Sequence, residues 1–296
     1  MKQKKIIDAM NYIDDEFIES ANKTKKKNFT FKWIAVAACF CVAVGGVFAI
    51  NLNKKEDNNK LSSPSVIESE KGFYIPKSNF TIPKKGVVAD CIPFTSYQGF
   101  FYQYFYHNGN LDLTDAYLGE AKNVMEYGHV EGDLNVDFNG SVEGKVYSVK
   151  GYSKDFMIAV KSEYYIFYLI KNNGITLENG SDLFEKGLHL KDNIKNVKYQ
   201  SRYDWNFDKG NIKEVRKNID ELIDAINKAE FKPSIIIPVE HDTDNIYDSA
   251  EEFHLFIEKT DGLNIELRCF RGGYVMFSGI DAVVQIDEEI LNSIVP

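Results

Sequence analysis

Five histidines, His107, His129, His189, His241 and His254, are the residues best suited to ligate a metal or move a proton near neutral pH. No two stand at H-x-x-x-H spacing, so no helical turn presents a pair of them to one ion. The H-E-x-x-H, G-x-S-x-G and P-loop patterns are absent. His254 alternates with Phe253 and Leu255, which places it on the opposite, solvent-facing side of a strand. The stretch EHDTDNIYDSAEE, residues 240–252, gathers Asp242, Asp244, Asp248, Glu251 and Glu252, oxygen ligands of the kind calcium takes. Against the EF-hand template, however, Ile246 falls on a ligand position and Tyr247 on the glycine, so a solvated acidic loop is the plainer reading. Glu131, Asp133 and Asp137 could perform acid–base work if buried at the right separation. Their alternation with apolar residues describes the wet face of a sheet instead. The chain is therefore not expected to be an enzyme, and the residues call for no metal and no cofactor.

Of the four cysteines, Cys39 and Cys41 lie in an apolar run and Cys91 and Cys269 in the body, with no C-x-x-C spacing. In an oxidising compartment Cys91 and Cys269 could pair. Cys269 shares a strand face with Ile265 and Leu267, so a buried thiol is the other reading.

These residues are carried on a chain divided by that apolar run. Trp33 to Ile50 is a stretch of 18 uncharged residues. As a helix it would be roughly 27 Å long, close to the thickness of a bilayer's hydrocarbon core. A signal peptide cut after Ala49 and a lipoprotein cut before Cys39 are the alternatives. The first requires an unusually long leader, and the second leaves only about three apolar residues before the cysteine, where an h-region needs roughly 7–15. An uncleaved transmembrane helix in the cell membrane fits best. Lys25, Lys26, Lys27 and Lys32 precede the run, so the N-terminus is expected to stay in the cytoplasm and the C-terminal domain to lie outside it. Residues 1–32 carry eight Lys against five acids, +3, and the remainder 27 basic against 39 acidic residues, −12. A body so acidic excludes nucleic acid as a partner, because phosphate binding needs clustered Lys and Arg.

In the tail, Ile6, Met10, Ile13 and Phe17 recur at spacings of 4, 3 and 4 and form one stripe of a helix, with Asp8, Asp15 and Glu19 opposite. A helix of this length is marginal alone, so the stripe is expected to be covered, by the lipid bilayer or by a cytoplasmic protein docked on it. Acids on the outer face favour docking. IIDAMNYIDDEFIESA, then KKK, then WIAVAACFCVAVGG resembles the start of the anti-sigma-factor-like single-pass membrane proteins of Gram-positive bacteria. The resemblance implies a signal-transduction role, with an extracytoplasmic-function sigma factor as the tail's partner. Gly273–Tyr274–Val275 after a Gly-rich turn, and Gly151–Tyr152 before a strand, look like the outer domains of the same group. The rival reading is a membrane-anchored module that captures an envelope ligand or protein and has no cytoplasmic signalling role.

Residues 51–72 are polar and aperiodic and read as a linker. Residues 73–296 are expected to form an α+β extracytoplasmic domain, mainly antiparallel β, with one long amphipathic helix. Its pattern is clearest over 211–231, where Ile212, Val215, Ile219, Leu222, Ile223 and Ile226 make the buried stripe. Ring-bearing residues fill seven of the eight positions from Phe100 to His107, which predicts a strand covered on both faces or one exposed as a stacking surface. A meander is expected from Phe253 to Phe277, with turns at Asp261–Gly262 and Gly272–Gly273, and a short helix over DEEILNSI.

Overall fold

The computed structural model describes residues 67–69, 72–75, 77, 92–126, 129–130, 132–234, 237, 251–280 and 282–295. All fall in one unit, Phe40–Pro296. The stripe of Ile6, Met10, Ile13 and Phe17, the apolar run at 33–50, Cys91 and the acidic stretch up to residue 250 lie outside the described residues.

Strands β1 (Ile67–Ser69) and β2 (Gly72–Ile75) pair as a hairpin. Then β3 (Phe94–Tyr97) turns directly into β4 (Phe100–Asn108). The two residues between them, Gln98 and Gly99, both have positive φ (52° and 71°), the conformation that matches the twist of a two-residue hairpin. β5 (Thr114–Asn123) follows, then the two-stranded pair β6 (Met125–Glu126) and β7 (His129–Val130), and the short β8 (Asn139–Gly140). β9 (Gly144–Val149), β10 (Met157–Lys161) and β11 (Ile166–Lys171) complete a closed seven-stranded barrel in the order β10-β11-β4-β3-β8-β5-β9. Tyr97, Tyr102, Val146, Ile158, Val160 and Leu169 fill its interior. The alternate residues Met157, Ala159, Tyr168 and Ile170 point outward and are also fully buried. With both faces covered, β10 and β11 have no wet side, and their sequences run continuously apolar for that reason.

What covers the barrel's outer wall comes later in the chain. β12 (Ile175–Leu177) adds to the β1–β2 hairpin and leads into α1 (Gly180–Phe184), opened by a capping box between Asn179 and Asp182. β13 (Ile194–Ser201), α2 (Arg202–Asn206), β14 (Lys213–Val215), α3 (Ile219–Lys228) and β15 (Phe231–Pro233) follow. After them come β16 (Glu251–Lys259), β17 (Asn264–Phe270), β18 (Tyr274–Phe277), β19 (Ala282–Gln285) and α4 (Glu288–Ser293). Seven of these strands form one antiparallel sheet, ordered β14-β13-β16-β17-β18-β19-β15. Phe253, Leu255, Ile257, Ile265, Leu267 and Cys269 project from one face into a core shared with the barrel's outer wall and with Leu183, Phe184, Leu222, Ile226 and Leu291 of α1, α3 and α4. α1 approaches α3 so closely that a Cβ on Gly180 would lie 1.9 Å from the Ile226 carbonyl oxygen, so no larger residue fits there.

The expected α+β class with a transmembrane helix and a long amphipathic helix is not what the structure shows. Of the described residues 48% are in strands and 14% in four helices, and the barrel is a central element. No helix among the described residues is long and apolar enough to cross a membrane. The long helix expected over 211–231 is three things. Lys213–Val215 is the edge strand β14, paired with β13. Asn218 has φ 57°, the left-handed conformation that Asn tolerates and that a helix interior cannot hold. Only the ten residues Ile219–Lys228 are helical. Val215 is buried as expected, but on a strand.

A polar cluster ties the two layers together. Tyr152, in the turn after β9, donates its hydroxyl to Asp261 Oδ2 at 2.5 Å, and Lys259 Nζ reaches the same oxygen at 2.9 Å and the Tyr152 hydroxyl. Lys259 is almost wholly buried. That burial lowers its pKa against the opposing pull of Asp261. Burial alone would raise the Asp261 carboxyl, but hydrogen bonds from Tyr152 and Lys259 outweigh it and hold the pKa below the usual range. The ring of His189 stacks on Tyr152, with centroids 5.2 Å apart.

The two-sided burial of β10 has a direct consequence. Ile158→Ala should lower unfolding stability by about 2–5 kcal/mol, whereas Lys161→Ala, on the same strand but exposed, should stay within about 0.5 kcal/mol. Urea denaturation followed by circular dichroism measures both; equal effects would contradict the assignment of Ile158 to a closed barrel interior.

Candidate functional site, a buried ion network beneath helix α2

The second face of the large sheet should by alternation be wet, and it is not. His254 and Arg268, which alternate with the core-facing side chains, and Glu251, brought to the same face by the register shift between Glu251 and Phe253, are all buried, His254 completely so. The cover comes from α2, which leaves β13 without a loop. Ser201 caps the helix by accepting the Asp204 backbone N–H at 3.1 Å, and its hydroxyl donates to Asp204 Oδ2 at 2.8 Å. Arg202 and Trp205, three apart, share one face of the helix and meet the sheet. Tyr203 and Phe207, four apart, share the other. They remain 58% and 64% exposed, with ring centroids 4.8 Å apart, and Lys209 Nζ lies 3.9 Å from the Tyr203 ring centre.

Beneath α2, one carboxylate serves two guanidinium groups. Arg268 is bidentate on Glu251, through Nε to Oε1 and through Nη2 to Oε2 at 2.9 Å. Arg202 Nη1 pairs with Oε2 of the same group. His254 lies between two carboxylates, with Nδ1 2.8 Å from Glu266 Oε1 and Nε2 3.4 Å from Glu251 Oε1. The indole of Trp205 stacks on its ring at 4.5 Å with planes 12° apart. Burial pushes the His254 pKa down; Glu266 opposes this, and Arg268 and Arg202 reinforce it. The ring is therefore neutral near pH 7. On β4 of the barrel, burial above all, and then the charge of Glu266, raise the Tyr104 phenol pKa. The Tyr104 hydroxyl is 2.7 Å from His107 Nδ1. A register shift in the β4–β11 ladder turns these two residues, three apart on one strand, to the same side.

An arrangement of this kind fixes geometry more than it performs chemistry. Bidentate carboxylate–guanidinium pairs hold angle as well as distance. They are strong only because the second partner is present, since either charge alone would be buried and uncompensated.

The sequence-derived candidates fall elsewhere or differently. His254 was expected in solvent; it is on the expected strand face but sealed by α2. Glu251, expected in a solvated acidic loop, is the centre of the network. Asp133 and Asp137 were expected on the wet face of a strand and occupy turns, where Asp133 Oδ1 accepts the Asn135 N–H at 2.9 Å and Asp137 Oδ1 accepts the Gly99 N–H at 3.4 Å. Glu131 and His241 lie outside the described residues. Cys269 is a free, fully buried thiol, and burial raises its pKa well above the usual value. Phe101 and Tyr102 of the aromatic strand are core, and Tyr104, Tyr106 and His107 are half-buried. No group of three or more potential metal ligands converges among the described residues. A shallow groove of about 540 Å³ runs between β13, β14 and the start of α3, and none of the network residues lines it. No protein-family model, no curated protein and no solved structure matches the chain.

Glu251→Gln removes the charge that both arginines share. Stability should fall by about 3–5 kcal/mol, and Glu266→Gln, at a quarter-exposed position, should cost clearly less. Parallel urea titrations test the order; an equal or reversed order would contradict Glu251 as the hub.

Proposed function

We propose that this chain is a membrane-anchored signalling protein of the anti-sigma-factor-like kind, in which the β body receives an extracytoplasmic ligand or partner and the tail docks a cytoplasmic protein. The observation that carries the receiving role is the two-sided build of α2. Its outer side offers Tyr203 and Phe207 to solvent, and its inner side is pinned by Arg202 to Glu251 and by Trp205 to His254. Exposed aromatic rings on a pre-organised support are the residues that dominate recognition surfaces, because little ordering entropy is lost when they are buried. Anchoring rests on the apolar run at 33–50 and the change of charge across it. The cytoplasmic role rests on the stripe of Ile6, Met10, Ile13 and Phe17 and on the resemblance of the first fifty residues.

Capture experiments with the full chain in detergent discriminate this reading from a module that binds outside and signals to nothing. A cytoplasmic protein retained by the wild type, an extracytoplasmic-function sigma factor on this account, should be retained about tenfold less by Ile13→Asp/Phe17→Asp, the loss expected when two anchors of a helix-in-groove contact are charged. Equal retention by both chains would leave only the outer binding role.

A further inference from the structure

The network under α2 contains one group whose charge can change near physiological pH. In the neutral ring of His254, the Nδ1–H donates to Glu266, which leaves a lone pair on Nε2. That nitrogen is buried, has no hydrogen-bond partner, and lies 3.4 Å from Glu251 Oε1, itself only an acceptor. The groups facing the ring can be named element by element. β16 supplies Glu251, β17 supplies Glu266 and Arg268, and α2 supplies Arg202. Its cross-strand neighbour on β13, Gln200, carries no charge, and from β4 Tyr104 stands near Glu266.

We propose that α2 is an acid-released latch, in which a proton taken up from solvent at His254 Nε2 turns Glu251 away from Arg202 and frees α2 from the sheet. Protonation gives Nε2 an N–H aimed at a carboxylate that already serves two guanidinium groups. Three cations, His254, Arg268 and Arg202, then share Glu251, with Glu266 on the other side of the imidazole as the second anion. Arg268 cannot yield, because it sits within the strand ladder with a side chain only 3% exposed. Arg202 can, since it rides on a five-residue helix and its side chain, at 17%, already touches solvent. Its departure takes Trp205 off the imidazole and swings Tyr203 and Phe207 with it. The latch thus changes the shape of the exposed aromatic face, and it does so whether or not the tail docks a partner.

The sign follows from burial. A histidine kept neutral in the closed form and free to reach its ordinary value of 6.5 in the open form binds more protons when open. The latch is at full strength above about that pH and weakens as the pH falls through it.

The test uses the full chain in detergent carrying Trp33→Phe, so that Trp205 is the only indole. Between about pH 8 and pH 4, Trp205 emission should shift to the red in one step with a midpoint below 6.5. Amide exchange of residues 201–207 should rise about tenfold in the same step, before the amides of β16–β18 respond. His254→Gln should abolish the step. Glu266→Gln, which withdraws the carboxylate that favours the proton, should move the midpoint to lower pH and keeps the proposal testable if the first variant does not fold. Exchange at 201–207 that is constant across the range, that changes only together with β16–β18, or that has a midpoint unmoved by Glu266→Gln would overturn the latch.

Discussion

A buried carboxylate must be answered, and the answer to Glu251 organises half of this structure. Leaving such a charge unpaired costs about 3–5 kcal/mol, a large part of the roughly 5–15 kcal/mol that separates a folded domain from an unfolded one. Arg268 supplies the answer from the neighbouring strand, which fixes the register of β16 against β17 on that face. Arg202 supplies it from α2, which fixes a five-residue helix that could not persist alone. Trp205 then closes over His254 because the arginine three residues earlier has already set the helix's angle. The ion network is thus less a source of net stability than a specification of where one short helix must sit.

The other half of the structure is held by apolar contact. The barrel's strands β10 and β11 are buried inside and out, and the large sheet packs its apolar face on the same outer wall. The sheet therefore has an oily side that joins it to the barrel and a charged side that holds α2. Lys259, Asp261 and Tyr152 add a polar tie at the edge between the two layers. α2 lies on the charged side with none of its own residues fully buried, and it presents two large exposed rings.

How much of this can be read in the residues differs from one segment to the next. The meander of β16, β17 and β18 is legible, because Phe253, Leu255 and Ile257 alternate cleanly and Asp261–Gly262 marks the turn. The strands β10 and β11 are legible as apolar runs, but their closure into a barrel is not, since closure depends on pairings between distant segments such as β4 with β11. The 211–231 pattern misleads because Val215 and Ile219 fit a helical stripe equally well when one belongs to a strand and the other to a helix; only the left-handed Asn218 between them breaks the tie. His254 misleads for a different reason. Alternation states which face a residue takes, not what covers that face. Arg268 set between Leu267 and Cys269 hints at a charge on the second face, but Glu251 is in phase with Phe253 and Leu255 and joins that face only through the register shift between Glu251 and Phe253, which alternation does not reveal.

Arg202 and Glu251 hold α2 to the sheet through each other. A double-mutant cycle of Arg202→Met, Glu251→Gln and the pair, read by urea denaturation, measures that coupling without assigning it to either residue alone. A coupling of about 2 kcal/mol or more is expected, with the second substitution costing far less once the first is made. Additive costs, within about 0.5 kcal/mol, would contradict it.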